Sequence, residues 1–209
     1  MLIVALTGGI ATGKSVVAKT LEELGCYVHY ADKIAHQLME PKKQVWKKIV
    51  AHFGKEILNP DKTINRTKLG TIIFAKEKER NFLNKLIHPL VLEKKKKTIK
   101  KLNKEGHYKI FISDAALIIE SGFAKFFDKI IVVICNEKTQ IKRLRERDSI
   151  SQKQALKKIR AQMPSKKKLK YSDYIIDTLG SLRHTVEQTE RVFRSLMLDY
   201  EMKCGIGKE

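Results

Sequence analysis

Apolar positions in this chain follow two patterns. Five short, nearly continuous apolar runs lie at residues 2–6, 27–30, 110–113, 130–135 and 174–176. Runs of this length without alternation read as strands buried on both faces. The stretches between them carry helical periodicity. Strands alternating with helices predict an α/β fold with a parallel sheet flanked by helices in three layers. Such sheets bind ligands at the carboxyl ends of their strands, so the residues after each run are the ones to inspect.

The interval 34–106 has no strong strand signal. It contains "HQLMEPKKQVWKKIVAHFG", a turn at "NPDKT" and "LGTIIFAKEKERNFLNKLIHPLVLEKKKK". It reads as a helical insertion between the second and third strands, inside a single domain spanning 1–209. His88-Pro89 reads as the start of a basic helix. A second helical region, about 137–170, is dense in Arg and Lys. No internal repeat is visible, and lysine clusters at 94–97 and 166–168.

Composition narrows the class. With 209 residues, 43% hydrophobic and 32% charged, the chain is neither disordered nor fibrous and holds one sizeable core. No apolar run approaches the roughly 20 residues that span a bilayer. "LIVAL" is too short for an export signal and leads into a structured motif, which points to a cytoplasmic protein. Three well-separated cysteines without a CxxC pair suit a reducing compartment, with neither a disulfide framework nor a zinc site. Lys plus Arg is 43 against 23 for Asp plus Glu, a net charge of +20. That surface attracts polyanions, although most of the lysines also suit solvated helix faces. No nucleic-acid-binding module is recognisable, so no specific nucleic acid and no membrane is expected as a partner. The chain is expected to be a monomer or a small homo-oligomer.

The turn after the first strand carries the clearest chemistry. Gly8-Gly9-Ile10-Ala11-Thr12-Gly13-Lys14-Ser15 matches G-x4-G-K-[ST], with a strand before it and a helix after it. Glycines let the backbone turn sharply and aim successive N–H groups inward, and the helix N-terminus adds its dipole. Lys14 would reach the β- and γ-phosphates and the Ser15 hydroxyl would bind magnesium. A guanine switch is excluded, since neither N-K-x-D nor D-x-x-G stands in place: "CNEKTQ" follows the fourth strand and Asp114 is followed by "AAL".

Other candidates carry two readings each. "YVHYAD" places Asp32 at the end of the second strand, as a base for an attacking hydroxyl or as a helix N-cap. "KIFISDAALIIE" places Asp114 after the third strand, as a magnesium-side acid or as a turn residue. Arg143 and Arg147 in "TQIKRLRERD" are four apart on one helix face, closing over a triphosphate or lying in solvent. His88 reads as a structural hydrogen-bonder or as a substrate contact.

"LTGGIATGKSVVAKTLEELGCYVHYADKIAHQL" resembles the amino-terminal signature of the dephospho-CoA kinase family. Further matches follow in order: "IIFAKEKERNFLNKLIHPLV", "DAALIIESG", "TQIKRLRERD" and "AQMPSKKKLKYSDYIIDTLGS". They cover roughly residues 3 to 200. The resemblance implies a P-loop kinase that transfers the γ-phosphate of ATP, with Mg2+, to the 3′-hydroxyl of dephospho-CoA, the last step of coenzyme A synthesis. It implies that Asp32 is the catalytic base, that Gly8, Ala11, Thr12, Gly13, Lys14, Ser15 and Val16 hold ATP, and that Arg143 acts in a lid with Arg147 beside it. His88 falls in the part that handles dephospho-CoA, and Ser15 and Asp114 on the metal side.

The chain departs from that pattern at several positions. Ala11 stands where another glycine is frequent, and alanine suits that position with negative φ. Tyr30 replaces the first acid of an Asp-Ala-Asp triplet, His36 a frequent Arg, and Ala116 a Pro. Thr178-Leu179 replaces an Asn near the adenine. A nucleoside or nucleoside-monophosphate kinase of the same architecture is the alternative enzyme reading. A nucleotide-dependent nucleic-acid-binding protein is the alternative from another class.

Overall fold

The fold is taken from a computed structural model that describes residues 1–205. Five strands form one sheet: β1 (Leu2–Gly8), β2 (Tyr27–Tyr30), β3 (Ile110–Asp114), β4 (Lys129–Ile134) and β5 (Tyr174–Asp177). Their order is β2-β3-β1-β4-β5, and every pairing is parallel. β1 is central because its run is apolar throughout and can be buried on both faces. After β1 the chain moves to one side of it, to β2 and β3, and later to the other side, to β4. That reversal opens a crevice at the carboxyl end of β1.

Alternation along the strands separates two cores. Val4 and Leu6 of β1, with Ile131 and Val133 of β4, face α1 (Lys14–Glu23) and the last helix of the chain. Val17, Ala18 and Leu21 from α1 meet Val192 and Leu196 there. Ala5, Ile130 and Val132 point the other way, under Ile118, Ile119, Phe123 and Phe127 and against Met163 and Leu169. Several strand ends differ by one or two residues from expectation: β1 runs on to Gly8 and β5 to Asp177. β3 runs one residue further and includes Asp114, while β4 covers 129–134 and leaves Cys135 outside.

The chain divides into two compact units, 1–30 with 102–205 and, separately, 31–101. The second unit contains α2 (Ala31–Leu38), α3 (Gln44–Phe53), α4 (Arg66–Ala75) and most of α5 (Glu77–Glu105). Its own core is built from Val45, Ile49, Phe53, Ile57, Ile64, Leu69, Leu83 and Ile87. The "NPDKT" turn closes through a Leu58–Ile64 bridge and a 2.9 Å bond from Asn59 N–H to the Thr63 carbonyl. Pro89 does not begin a helix; it lies inside α5. Proline there removes one helical N–H bond, but Leu83, Ile87, Leu90 and Val91 pack against the same core on both sides of it. Apolar burial on either side carries the helix across the missing bond.

The first unit continues with α6 (Glu137–Asp148), α7 (Gln152–Arg160), the short α8 (Ser165–Lys168) and α9 (Leu182–Cys204). Among the described residues no helix is long and apolar enough to cross a membrane.

Candidate active site

The loop between β1 and α1 is shaped by what cannot fit elsewhere. A Cβ on Gly8 would stand 2.5 Å from the Val133 carbonyl oxygen, so only glycine lets β1 pass β4 there. Gly13 caps α1 at φ 89, where an L side chain is strained. Ala11 differs from the expected backbone: it adopts φ 58, not a negative value. The turn needs a left-handed residue at that point, and alanine adopts it at a cost of about 1–2 kcal/mol. Neighbours hold it there. The Ala11 carbonyl accepts from Arg143 Nη1 at 3.5 Å and from the Cys135 thiol at 3.9 Å.

Two glutamines grip the loop from the helical region after β4. Gln140 Nε2 donates to the Ile10 carbonyl at 2.7 Å, and Ile10 N–H donates to Gln162 Oε1 at 2.7 Å. Thr12 closes the turn from within, its hydroxyl donating to the Gly9 carbonyl at 2.9 Å.

Lys14 reaches back from α1 and pairs with the Asp114 carboxylate. Asp114 sits at the end of β3, level with Leu6 of β1 and Tyr30 of β2. It is therefore neither a cap nor a turn residue. Both partners are largely buried, with side chains 16% and 11% exposed. Ser15 is exposed in the first turn of α1. A hydroxyl and a carboxylate are hard oxygen donors of the kind magnesium takes when substrate phosphates and water complete its shell. The donor set fits that ion.

On α6, Asn136 caps the helix by accepting from Thr139 N–H at 2.8 Å. Gln140 and Leu144 are its buried positions. Arg143, three residues after Gln140, shares that side, and its guanidinium ends on Thr178 beside the phosphate loop. Arg147 goes elsewhere. It pairs with Asp148 at 2.7 Å with its own side chain 58% exposed, and Lys158 of α7 completes the cluster at 2.7 Å. Hydrogen bonds from Arg147 and then Lys158 pull the Asp148 carboxyl down to about 2.

The base of this helical region is anchored by a buried lysine. Lys168 is fully buried, donating to the Ala116 carbonyl at 2.9 Å and pairing with Glu120 at 2.7 Å. Glu120 also accepts from Met163 N–H at 3.2 Å, one residue past Gln162. The Thr7 hydroxyl joins the same Ala116 carbonyl at 3.0 Å. The segment after Asp114 and the segment carrying Gln162 are thus tied together.

In the helical unit, Asp32 is exposed in the first turn of α2. The helix begins at Ala31, so Asp32 is neither the strand end nor the N-cap. A cavity of about 730 Å³ in this unit is lined by His36, Met39, Asn65, Arg66, Ile73 and Leu83 among others. Burial and the nearby Arg66 cation hold the His36 pKa below its ordinary value, against an opposing pull from Asp32. His88 is half-buried in α5, and burial lowers its pKa too.

The sequence profile of the dephospho-CoA kinase family matches residues 2–184. This chain belongs to the dephospho-CoA kinase family. It is 40% identical over 187 residues to the dephospho-CoA kinase of Halalkalibacterium halodurans, covering 90% of this chain and 92% of that one. With the Carboxydothermus hydrogenoformans enzyme it shares 42% over 186 residues, covering 89% and 90%. The solved dephospho-CoA kinase of Campylobacter jejuni superposes with a TM-score of 0.66 at 28% identity, covering 93% of this chain and 96% of that one. The chain is an ATP-dependent kinase of coenzyme A biosynthesis, with the parallel five-stranded α/β fold of P-loop kinases.

The structure brings part of the expected residues together. Gly8, Ala11, Thr12, Gly13, Lys14, Ser15 and Val16 form the loop and the start of α1, and Asp114 and Arg143 join them. Arg147 does not, and Asp32 and His88 belong to the helical unit. Motif reading missed Gln140, Gln162 and Lys168, whose side chains meet the loop or its support from far along the chain. Nothing local in the sequence marks them. Thr178 was visible only as a departure from the family pattern.

Proposed function

We propose that this dephospho-CoA kinase uses Lys14 and the backbone N–H groups of Ala11, Gly13, Lys14 and Ser15 to hold the β- and γ-phosphates of ATP. Lys14 leaves Asp114 for the phosphates when nucleotide binds. Ser15 and Asp114 hold Mg2+, which when bound neutralises phosphate charge and orients the transferring group. Asp32 takes the proton from the acceptor's 3′-hydroxyl as that oxygen attacks. Arg143 offsets charge that develops on the phosphoryl oxygens and leaving group. Arg147 stays with Asp148 as an ion pair of the α6–α7 region. His88 and the cavity beside His36 and Arg66 serve dephospho-CoA, the Arg66 guanidinium suiting its diphosphate. The enzyme works in the cytoplasm, with ATP and dephospho-CoA as its substrates.

The observation that carries this reading is the convergence of Lys14, Asp114 and Arg143 on one glycine loop at the carboxyl end of β1. A coupled ADP-release assay with dephospho-CoA, adenosine, AMP and CMP as acceptors tests it. Turnover with dephospho-CoA should exceed the others by orders of magnitude. Preference for a free nucleoside or monophosphate would instead support the nucleoside-kinase reading.

A further inference from the structure

Thr178 follows β5, is 3% exposed and carries no role in the mechanism above. Its surroundings are unusual for a threonine in a loop. The hydroxyl lies 2.5 Å from the Thr12 carbonyl oxygen and 2.9 Å from Arg143 Nη1. A third neighbour, the Ile134 carbonyl, is more distant at 3.3 Å. A hydroxyl has one proton and accepts with its lone pairs. Arg143 cannot accept, so the proton goes to a carbonyl, and the shortest contact is Thr12. The hydroxyl therefore donates to the phosphate loop while accepting from the arginine.

The backbone of Thr178 adds a second grip. Its carbonyl accepts from Arg143 Nη2 at 2.9 Å, and its N–H donates to the Ile134 carbonyl at 2.9 Å, continuing the sheet. One residue thus holds both terminal nitrogens of a planar guanidinium and is itself fixed to β4. The same groups crowd Gly13: a Cβ there would lie 3.2 Å from the Thr178 hydroxyl and 3.3 Å from Arg143 Nη1. Thr178, Arg143 and the turn into Lys14 are packed as one piece.

We propose that Thr178 is a positioning residue for phosphoryl transfer: its hydroxyl couples the phosphate loop to Arg143 and holds the guanidinium in place before ATP arrives. This rests on Arg143 acting on the transferring phosphate, as proposed above. An arginine already ordered by two hydrogen bonds loses less freedom on reaching the transition state than one free in solvent. The benefit falls on kcat more than on ATP binding.

The test is a double-mutant cycle on the full chain, with dephospho-CoA and ATP as substrates. Thr178→Val keeps the shape and removes the hydroxyl. It should lower kcat roughly 10-fold, below the 10²–10³-fold typical of deleting a transition-state donor outright, with KM for ATP changed less than threefold. Thr178→Ser restores the hydroxyl and should stay within about twofold of the parent. In an Arg143→Ala background, Thr178→Val should cost little more, because the group it positions is gone. If the valine variant fails to fold, the drop from Thr178→Ser to Thr178→Ala isolates the hydroxyl instead. Full additivity with Arg143→Ala, or undiminished kcat without the hydroxyl, overturns the proposal. A faster kcat without the hydroxyl overturns it too, and shows the arginine to be parked. No effect of Arg143→Ala on its own defeats the role assigned to that arginine, a distinct failure from additivity.

Discussion

The surroundings of the glycine loop and the helical unit proposed to take the acceptor are built differently. Around the phosphate loop, Lys14 is paired with Asp114, Arg143 with Thr178, and Ile10 is bonded on both its N–H and its carbonyl. The hydrogen-bonding partners arrive from β3, α6, the loop after β5 and the turn after α7. In the helical unit, the proposed base Asp32 stands exposed on the first turn of a helix with no buried residue of its own. His36 lies against a cavity. The contrast follows from the ligands. A triphosphate is a dense, invariant anion, and a preorganised cage pays for its own ordering during folding. On the proposed mechanism an acceptor hydroxyl needs one carboxylate at one point, and Asp32 in the first turn of α2 would supply it.

Asp32→Asn is the sharpest probe of that contrast. It keeps the side-chain volume and removes the base, so kcat should fall about 10²–10⁴-fold. Stability should change by no more than the 0.3–1 kcal/mol an acid contributes at a helix N-terminus. Steady-state kinetics and a melting curve on the one variant check both. Weaker apparent magnesium affinity, with part of the rate rescued by added magnesium, would move Asp32 from base to metal ligand. On the other side, Lys14→Ala should cost about 10²–10³-fold in kcat while the fold persists, read by turnover and circular dichroism. Near-parental turnover would sink the phosphate-loop assignment.

The network beneath the loop should fail as structure before it fails as chemistry. Lys168→Met leaves Glu120 without its cation, and breaking a pair of this kind costs about 3 kcal/mol. The melting temperature should drop accordingly, with Lys168→Met/Glu120→Gln recovering part of the loss. An unchanged melting temperature would mean that the clamp is dispensable. The smallest effect belongs to Asp148. Its carboxyl is held at about 2 against an ordinary 3.8, so its stabilisation is complete above pH 4 and is lost as pH falls from 3.8 toward 2. Arg147 is 58% exposed and Lys158 39%, which limits the contribution to about 0.2–1 kcal/mol. Urea melts of Asp148→Asn should show that deficit at pH 6 and none near pH 2. A gap that persists at low pH would make the role of Asp148 non-ionic.

Local chemistry determined a good deal from sequence alone. A strand buried on both faces must be apolar throughout, so all five strands were legible to within one or two residues. A sharp turn from strand into helix needs glycines at fixed spacing, so the place of the loop between β1 and α1 was legible. The "NPDKT" turn was legible for the same reason, since its conformation depends on adjacent residues. The fate of Pro89 was not, because a helix crosses a proline only when packing on both sides outweighs the lost bond, and packing is not a local property. The sign of φ at Ala11 was not legible either. Alanine disfavours the left-handed region by itself, and the turn between fixed neighbours overrides that preference.

Only the tertiary structure separated Arg143 from Arg147. On the helix the two are equivalent by spacing, yet one finds Thr178, 35 residues away, and the other its neighbour Asp148. It likewise supplied the grips on the loop from Gln140 and Gln162, at separations of 130 and 152 residues, and the clamp of Lys168 on Glu120 at 48. Periodicity and spacing encode what a residue does with its neighbours along the chain. Which buried hydrogen-bonding groups meet is decided by the sheet order, because each must find a partner wherever the fold delivers one.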